Sequence, residues 1–446
     1  MGMRKRLVGA TAAVIAAVVG LTACSGGGGG AGNEKKEASG TIEVAAIETA
    51  YGQDGWKAVT KAFTDETGIK VDLVMDKKLE DVIGPKMKAN DYPDVIHLAQ
   101  GREAGLTETF IKDKGIADIT DVFSSKIPGE DVTVKSKLVE GFTGNTLTDP
   151  YGGGKTYLAP MFYTPTGLYY DANLLKENGW EAPKTWDEMW ALGDKAKAKG
   201  IYLFTYPTAG YFDAFFYGLL YTVGGQEFFD KATHFEEGVW DTPEAQQVFD
   251  IIAKIAKYTN PVTPSQANSE NFTANQQLVL DHKAIFMPNG DWVVGEMADA
   301  PRAKGFEWAN IPLPTLKAGD QQYAYTFFEQ AWIPAKAKNQ DAAKKFIAFL
   351  YSDKATEAFA KVGAMQPTKN VQNYMDESKK AVYGVYENGA KAAMGNMASF
   401  KQIEGLDWKA VWFEPINSLV SGDMTKEQWV KGIKEASDKI RPNVQS

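Results

Sequence analysis

Strands and helices alternate through the first hundred residues of the body of the chain. Three segments have strand character: the apolar run Ile42–Ile47, the alternating run Ile69–Leu73, and Asp94–Leu98 after a proline. Between them, apolar residues recur at helical spacing over Trp56–Phe63 and Leu79–Met87. This β-α-β-α-β order spans about sixty residues and predicts a largely parallel sheet covered by helices, because parallel strands need long crossover connections.

Helix starts continue to alternate with apolar runs along the rest of the chain. Each combines a capping residue with an apolar face, and the starts are Thr185 with Glu188, Thr242 with Pro243, Asn339, and Thr425 with Gln428. No internal repeat of roughly 20–50 residues is visible, which argues against a solenoid or a propeller. The body is therefore predicted to be α/β.

The N-terminus has the order of a bacterial lipoprotein signal. A basic stretch at Arg4–Arg6 precedes fifteen uncharged residues, Leu7–Leu21, fewer than the roughly 20 that a membrane span needs. Leu21–Cys24 then matches the lipobox. We predict a signal peptide over 1–23 and lipidation at Cys24; a buried helix with an incidental cysteine would not explain this order.

Residues 24–40 are rich in glycine and charge and predict a flexible tether. Cleavage removes three basic residues and no acidic ones, so a formal net charge of −9 becomes −12. An acidic body gains nothing from an anionic membrane surface, so the lipid must provide the anchor. We expect an exported protein held at the outer face of the cell membrane.

Several classes of function lack support. Negative charge argues against nucleic-acid binding, and a single cysteine excludes an intramolecular disulfide or a cysteine-based metal site. His97, His234 and His282 lack the spacing of metal ligands. No nucleophile elbow is present, and Gly152–Thr156 precedes a strand instead of the helix of a phosphate loop. We expect no cofactor, no metal and no enzymatic activity, although sequence alone leaves a glycosidase carboxylate pair open.

An ordered set of short motifs extends over about residues 41–436. The stretches are Trp56–Phe63, Thr67–Val71, Pro93–Ile96, Leu158–Tyr163, Leu168–Asp171, Lys184–Glu188, Met287–Trp292, Trp332–Pro334 with Lys338–Asn339, and Gly363–Pro367. Together they resemble the extracellular solute-binding proteins of bacterial carbohydrate ABC importers, and within these the maltose-binding-protein group. Asp171 departs from the pattern, which usually has asparagine there.

The resemblance implies a two-lobe periplasmic-binding-protein fold of class II type, with a ligand cleft between lobes joined by several strands. Closure around the ligand would be the expected motion. The crossings are expected near Ala159–Tyr163, Pro312–Thr315 and Gly363–Pro367. The expected N-terminal lobe is 41–160 plus 316–363, and the expected C-terminal lobe is 161–315 plus 364–446.

A sugar receptor needs aromatic platforms for ring faces and polar side chains for hydroxyl groups. Five of the eleven tryptophans sit on or beside helical faces and are predicted to fill the core, namely Trp56, Trp186, Trp190, Trp240 and Trp429. Trp292 follows a turn where the family places a stacking tryptophan, so we place it in the cleft. For Trp412 the resemblance slightly favours the cleft over the core.

Further candidates lie in loops and strand ends that the family uses for ligand contacts. They are Tyr51, Gln53, Asp54, Gln100, Arg102, Tyr163, Phe212, Asp213, Asn289, Asp291 and Glu329. Leu98 and Gly101 replace a tryptophan and an aspartate of the maltose-binding group, which argues against maltodextrin itself as the ligand.

The resulting hypothesis is a monomeric, lipid-anchored receptor that captures an oligosaccharide and delivers it to a membrane permease. Two other classes stay open on the residues alone. A receptor for a polyamine or another solute would also use acids with aromatic walls, and a tethered glycan-degrading enzyme would release products. A surface adhesin would bind glycans without closing.

Overall fold

The computed structural model describes residues 40–444, apart from positions 50, 100, 101, 103, 104, 269 and 399. The predicted signal peptide, the lipidation site Cys24, the tether up to residue 39, and Gln100 therefore lie outside the described residues. Among the described helices, none combines the length and the hydropathy required to cross a membrane.

Ten strands occur in the described part of the chain. In chain order they are β1 (Thr41–Ile47), β2 (Lys70–Asp76), β3 (Val95–Leu98), β4 (Ala159–Pro165), β5 (Gly167–Asp171), β6 (Tyr202–Phe204), β7 (Ala284–Asn289), β8 (Trp308–Ile311), β9 (Tyr323–Trp332) and β10 (Lys391–Ala393).

Eighteen α-helices accompany these strands within the same residues. They are α1 (Asp54–Thr67), α2 (Leu79–Lys88), α3 (Leu106–Lys112), α4 (Thr120–Ser124), α5 (Val134–Lys137), α6 (Ala172–Glu177), α7 (Trp186–Lys197), α8 (Phe212–Thr233), α9 (Pro243–Tyr258), α10 (Thr263–Gln266), α11 (Phe272–Leu280), α12 (Trp292–Glu296), α13 (Gln340–Phe349), α14 (Asp353–Lys361), α15 (Glu377–Glu387), α16 (Trp408–Trp412), α17 (Pro415–Ser421) and α18 (Lys426–Ile440).

The larger sheet has six strands in the order β10-β9-β3-β1-β2, and β4 also pairs with β9. Strands β2 and β3 both run parallel to β1, so Val44 lies opposite Leu73 on one side and Val95 on the other. This confirms the β-α-β-α-β unit predicted from the periodicity. Strand β9 is antiparallel to both β3 and β4 and parallel to the short β10.

The smaller sheet has four strands in the order β6-β7-β5-β8. Strands β6 and β7 are parallel, whereas β5 is antiparallel to both β7 and β8. The carboxyl ends of β6 and β7 therefore meet at one edge, and the loops that follow them lie close together.

Two hydrophobic cores each centre on one sheet, and a third cluster joins the sheets through Tyr163, Phe328 and Tyr169. One core joins Val44 of the larger sheet to Trp56 and Phe63 of α1. The other joins Leu168 and Phe286 of the smaller sheet to a large set of aromatic side chains. Strand β9 contributes to both cores, because Tyr325 packs in the second and Ala331 in the first.

The stretches predicted as crossings occupy different environments. Ala159–Tyr163 is the first part of β4, and the Tyr163 amide donates a hydrogen bond to the Met365 carbonyl, 2.9 Å away. Pro312–Thr315 is not a strand, although the Thr315 amide donates to the Lys184 carbonyl at 2.9 Å. Strand β9 lies outside the three predicted crossings. It is the longest strand described.

Three of the four predicted helix starts have the expected side-chain cap. The hydroxyls of Thr185, Thr242 and Thr425 accept hydrogen bonds from the first turns of α7, α9 and α18. The fourth differs, because Asn339 turns away from its own helix. Its amide group donates to a carboxylate oxygen of Asp94 at 3.1 Å, while its backbone N–H donates to the other at 3.0 Å. The buried Asp94 from another segment therefore holds the Asn339 side chain, which makes no capping hydrogen bond to α13.

The predicted core tryptophans are confirmed. Trp186 and Trp190 stack with their rings 5.2 Å apart, as their spacing of four on a helix requires. Trp56, Trp240 and Trp429 are each 3% exposed.

We expect Phe63→Ala to lower the free energy of unfolding by about 3–5 kcal/mol, because a large buried ring is replaced by a cavity. Phe63 is fully buried, with its ring edge-on to Phe346 at 5.0 Å and to Phe349 at 5.5 Å. Val82 on α2 is 40% exposed, and Val82→Ala should change stability by no more than about 0.5 kcal/mol. Denaturant titration of both variants provides the measurement; equal effects would contradict the assigned core.

Candidate functional site

Two aromatic side chains meet where the loops after β6 and β7 leave the smaller sheet. Tyr211 and Trp292 are both partly exposed, with their rings 6.3 Å apart in an edge-to-face arrangement. The Trp292 ring folds back over Gly290, where the ring would collide with any Cβ atom. The Asn289–Gly290–Asp291 turn therefore needs glycine at its centre to hold Trp292 in this position.

Tyr51, Asp291 and Glu329 come from three distant segments and lie near one another. Tyr51 is in the loop after β1, Asp291 follows β7, and Glu329 is in β9. Burial raises the pKa of the Tyr51 hydroxyl, and the carboxylates of Glu329 and Asp291 raise it further. The Tyr51 hydroxyl also hydrogen-bonds with Thr164 of β4. The structure thus brings two predicted site residues, Asp291 and Glu329, close to the hydroxyl group of a third, Tyr51.

Glu329 has a neighbour that sequence reasoning did not anticipate. His97 of β3 is fully buried, and its Nε2 atom lies 3.1 Å from Glu329 Oε2. The imidazole ring also packs against Trp56 at 4.9 Å and Phe162 at 5.2 Å. Because β3 and β9 are adjacent strands, the pairing of the sheet itself brings the histidine to the acid.

Asp291 forms a buried ion pair with α15. Lys379 contacts the Asp291 carboxylate, and the Asp291 side chain is only 4% exposed. One turn further along the helix, the Tyr383 hydroxyl lies 3.5 Å from the same carboxylate and donates to the Tyr163 carbonyl at 2.7 Å. The Tyr163 ring meets Tyr383 edge-on at 5.0 Å. Asp291, Tyr163 and α15 therefore form one connected unit.

Asp213 lies near a second group of aromatic residues. Asp213 is exposed, and desolvation by the neighbouring protein raises its pKa to about 6. Its charge also raises the pKa values of the Tyr217 and Tyr325 hydroxyls, whereas Lys409 acts in the opposite direction on Asp213.

Several other candidates are engaged locally. Asn289 is buried, and its side-chain oxygen accepts from the Gly290 amide at 2.9 Å. Gln53 donates to Glu48 at 2.6 Å, and Asp54 is the exposed first residue of α1. Arg102 forms a two-point ion pair with Glu80, with a distance of 3.1 Å from Nη2 to Oε2. The structure does not place Gln53, Asp54 or Arg102 in contact with the group around Tyr51.

Two aromatic candidates require correction, because both are core residues. Phe212 is 4% exposed and packs against Tyr206 and Phe215 at 5.0 and 5.3 Å. At that turn, the ring available for a ligand is Tyr211. Trp412 is 1% exposed, with Phe235 at 5.8 Å and Trp240 at 6.1 Å. Large flat rings fill core space well, and their sequence context alone did not separate the two roles.

The residues that sequence reasoning missed are His97, Tyr211, Lys379 and Tyr383. Lys379 and Tyr383 are four apart on α15 and thus share one face, which is a signal the sequence does contain. Tyr211 immediately precedes Phe212, which the sequence predicted as a site residue. For His97 no local signal exists, since its partner belongs to a distant strand.

Comparisons with known proteins identify the family and the fold of this chain. A family model described as bacterial extracellular solute-binding protein matches residues 58–383. The chain belongs to this family. The family and the two-lobe α/β fold predicted from the sequence motifs are thereby confirmed.

Relatives extend over most of the chain. The diacetylchitobiose binding protein NgcE of Streptomyces coelicolor is 26% identical over 415 residues, covering 91% of this chain and 86% of that protein. The diacetylchitobiose binding protein DasA of the same organism is 25% identical over 330 residues, covering 71% and 70%. The maltose-binding protein MalE of Listeria monocytogenes, solved in complex with maltose, has a TM-score of 0.63 at 18% identity, covering 90% of this chain and 98% of that chain.

We expect Lys379→Met to lower the free energy of unfolding by about 3 kcal/mol, because it leaves the buried Asp291 carboxylate without its cation. The double variant Lys379→Met/Asp291→Asn removes both charges and should recover most of that loss. Thermal and denaturant unfolding of the two variants provide the comparison. If the single variant is as stable as the parent, the ion pair does not compensate the buried charge.

Proposed function

We propose that this protein is the sugar-capturing receptor of a carbohydrate ABC importer and binds an oligosaccharide between its two lobes. The observation that carries the proposal is the convergence of Tyr51, Asp291 and Glu329. One comes from the larger sheet's first loop, one from the smaller sheet's β7 loop, and one from β9, which packs in both cores. Such a cluster can be completed by one ligand that contacts both lobes.

The side chains around this cluster suit a carbohydrate. Carboxylates accept hydrogen bonds from hydroxyl groups, and the partly exposed rings of Tyr211 and Trp292 offer apolar faces for the C–H side of a sugar ring. Tight binding requires that each hydroxyl removed from water finds a partner. Acids beside aromatic rings also suit a polyamine, so cations form the second arm of the test.

Diacetylchitobiose is the first ligand to examine, because the two curated relatives described above carry its name. Their names also describe binding proteins, and we propose binding without covalent chemistry for this chain. Leu98 and Gly101 depart from the maltose-binding pattern, which places maltodextrin lower among the candidates.

We propose lobes of 41–160 plus 316–363 and 161–315 plus 364–446, which close around the sugar. A ligand that contacts both lobes only in the closed form shifts the population towards closure. The closed receptor then delivers its sugar to the permease. We further propose that a monomer is anchored at the outer face of the cell membrane through a lipid on Cys24, since the N-terminal sequence has the order of a lipoprotein signal.

Binding is tested by isothermal titration calorimetry of the full chain in detergent with diacetylchitobiose and a panel of di- to tetrasaccharides. We expect one oligosaccharide class to bind, and Trp292→Ala to weaken it by about tenfold or more through loss of the stacking face. Trp180 is a matched control. It is also partly exposed, but its ring lies 5.5 Å from the ammonium group of Lys199. Trp180→Ala should bind like the parent. Binding of polyamines with no response to any sugar would overturn the carbohydrate proposal.

The anchor is tested separately by fractionating cells that express the parent or Cys24→Ser. We expect the parent in the membrane fraction with a diacyl mass on its mature N-terminus, and a substantial loss of membrane-associated protein in the variant. A parent protein that lacks the lipid mass would contradict the anchor and leave the sugar-binding proposal unaffected.

A further inference from the structure

Strand β9 places alternate side chains on one face, because successive residues of a strand point to opposite sides. Tyr325, Phe327, Glu329 and Ala331 share that face. Tyr325 packs in the core of the smaller sheet and Ala331 in the core of the larger one. Phe327 lies between them, at the point where neither core covers the strand.

The Phe327 ring is 43% exposed, whereas its neighbours Thr326 and Phe328 are 1% and 4% exposed. Few large apolar side chains in the described residues are this open; the others are Val82, Val132, Tyr202 and Val262. Within the larger sheet, Phe327 alone among these described residues occupies a strand. Its exposure is therefore not that of a residue on a loop or at an edge, since β9 is paired along this stretch with β4.

One carboxylate lies on the same strand as this ring, and a second belongs to helix α8, which packs against the strand. Glu329, two residues further on, faces Tyr51 and His97. Tyr325, two residues before, packs against Tyr217 of α8 with the rings 5.4 Å apart, and Asp213 lies four residues before Tyr217 on that helix. At about 3.4 Å per residue, each neighbour on this face is about 7 Å from Phe327 along β9. The apolar ring thus lies between Glu329 on its own strand and Tyr325, which packs against the helix that carries Asp213.

We propose that Phe327 is the platform on which one pyranose ring of the bound oligosaccharide stacks, with Glu329 and Asp213 accepting hydrogen bonds from hydroxyl groups at its two ends. This inference rests on the proposed function and names the centre of its binding site. The ring face receives the C–H groups of the sugar, and the flanking carboxylates, which only accept hydrogen bonds, select a ligand rich in donors. Tyr211 and Trp292 would then contact a different part of the ligand.

Three substitutions separate stacking from simple filling of space. Phe327→Ala removes the ring, Phe327→Leu keeps an apolar side chain without a flat face, and Phe327→Trp enlarges the face. We expect Phe327→Ala and Phe327→Leu to raise the Kd for the sugar by about tenfold or more, and Phe327→Trp to retain binding. All three should keep a thermal midpoint close to that of the parent, because Phe327 is 43% exposed in the free protein and belongs to neither core.

The matched control is Tyr202→Ala on the edge strand β6, where the ring is 41% exposed. This variant should bind as the parent does. The full chains in detergent are titrated with diacetylchitobiose, or with the oligosaccharide of the panel that binds the parent. Unchanged binding by Phe327→Ala, or parent-like binding by Phe327→Leu, would overturn the stacking role while the proposed function stands. A parent that binds no sugar would overturn both.

Discussion

Strand β9 is the constraint on which the rest of the structure depends. It pairs with β3, β4 and β10, and its alternate residues enter the cores of both sheets. Since backbone hydrogen bonds determine which residues lie opposite one another, this one strand places Tyr325 in one core and Ala331 in the other. The residues between Tyr325 and Ala331 lie at the junction of these two cores. Glu329 and Phe327 are therefore positioned by sheet pairing, not by the loops around them.

The polar groups at this junction are expensive to bury and must compensate one another. Asp291 is paired with Lys379, Glu329 lies beside His97, and the Tyr51 hydroxyl lies near both acids. Substitution of one member of such a network leaves its buried partner unsatisfied, so the cost is larger than that of the lost contact alone. In the function that we propose, a ligand bound to these acids would connect elements that are far apart in the chain.

Sequence reasoning succeeded where the physical cause is local. The capping boxes at Thr185 and Thr425, the parallel unit around β1, and the tryptophans at helical spacing on α7 all depend on residues within a few turns of one another. It failed at Asn339, whose partner Asp94 comes from another segment. It also failed for Phe212 and Trp412, because an aromatic residue near a turn can point into a core as readily as into a cleft.

The sequence by itself determined the strand and helix order and, through its ordered motifs, the family, whereas the lipoprotein signal stays a prediction. These follow from periodicity, caps and short motifs, which are read within one segment at a time. Only the tertiary structure decided that Tyr51, Asp291 and Glu329 lie together, that His97 faces Glu329, and that Phe327 stays uncovered. The physical reason is that strand pairing brings together residues from distant segments, and no local pattern specifies which strands will be neighbours.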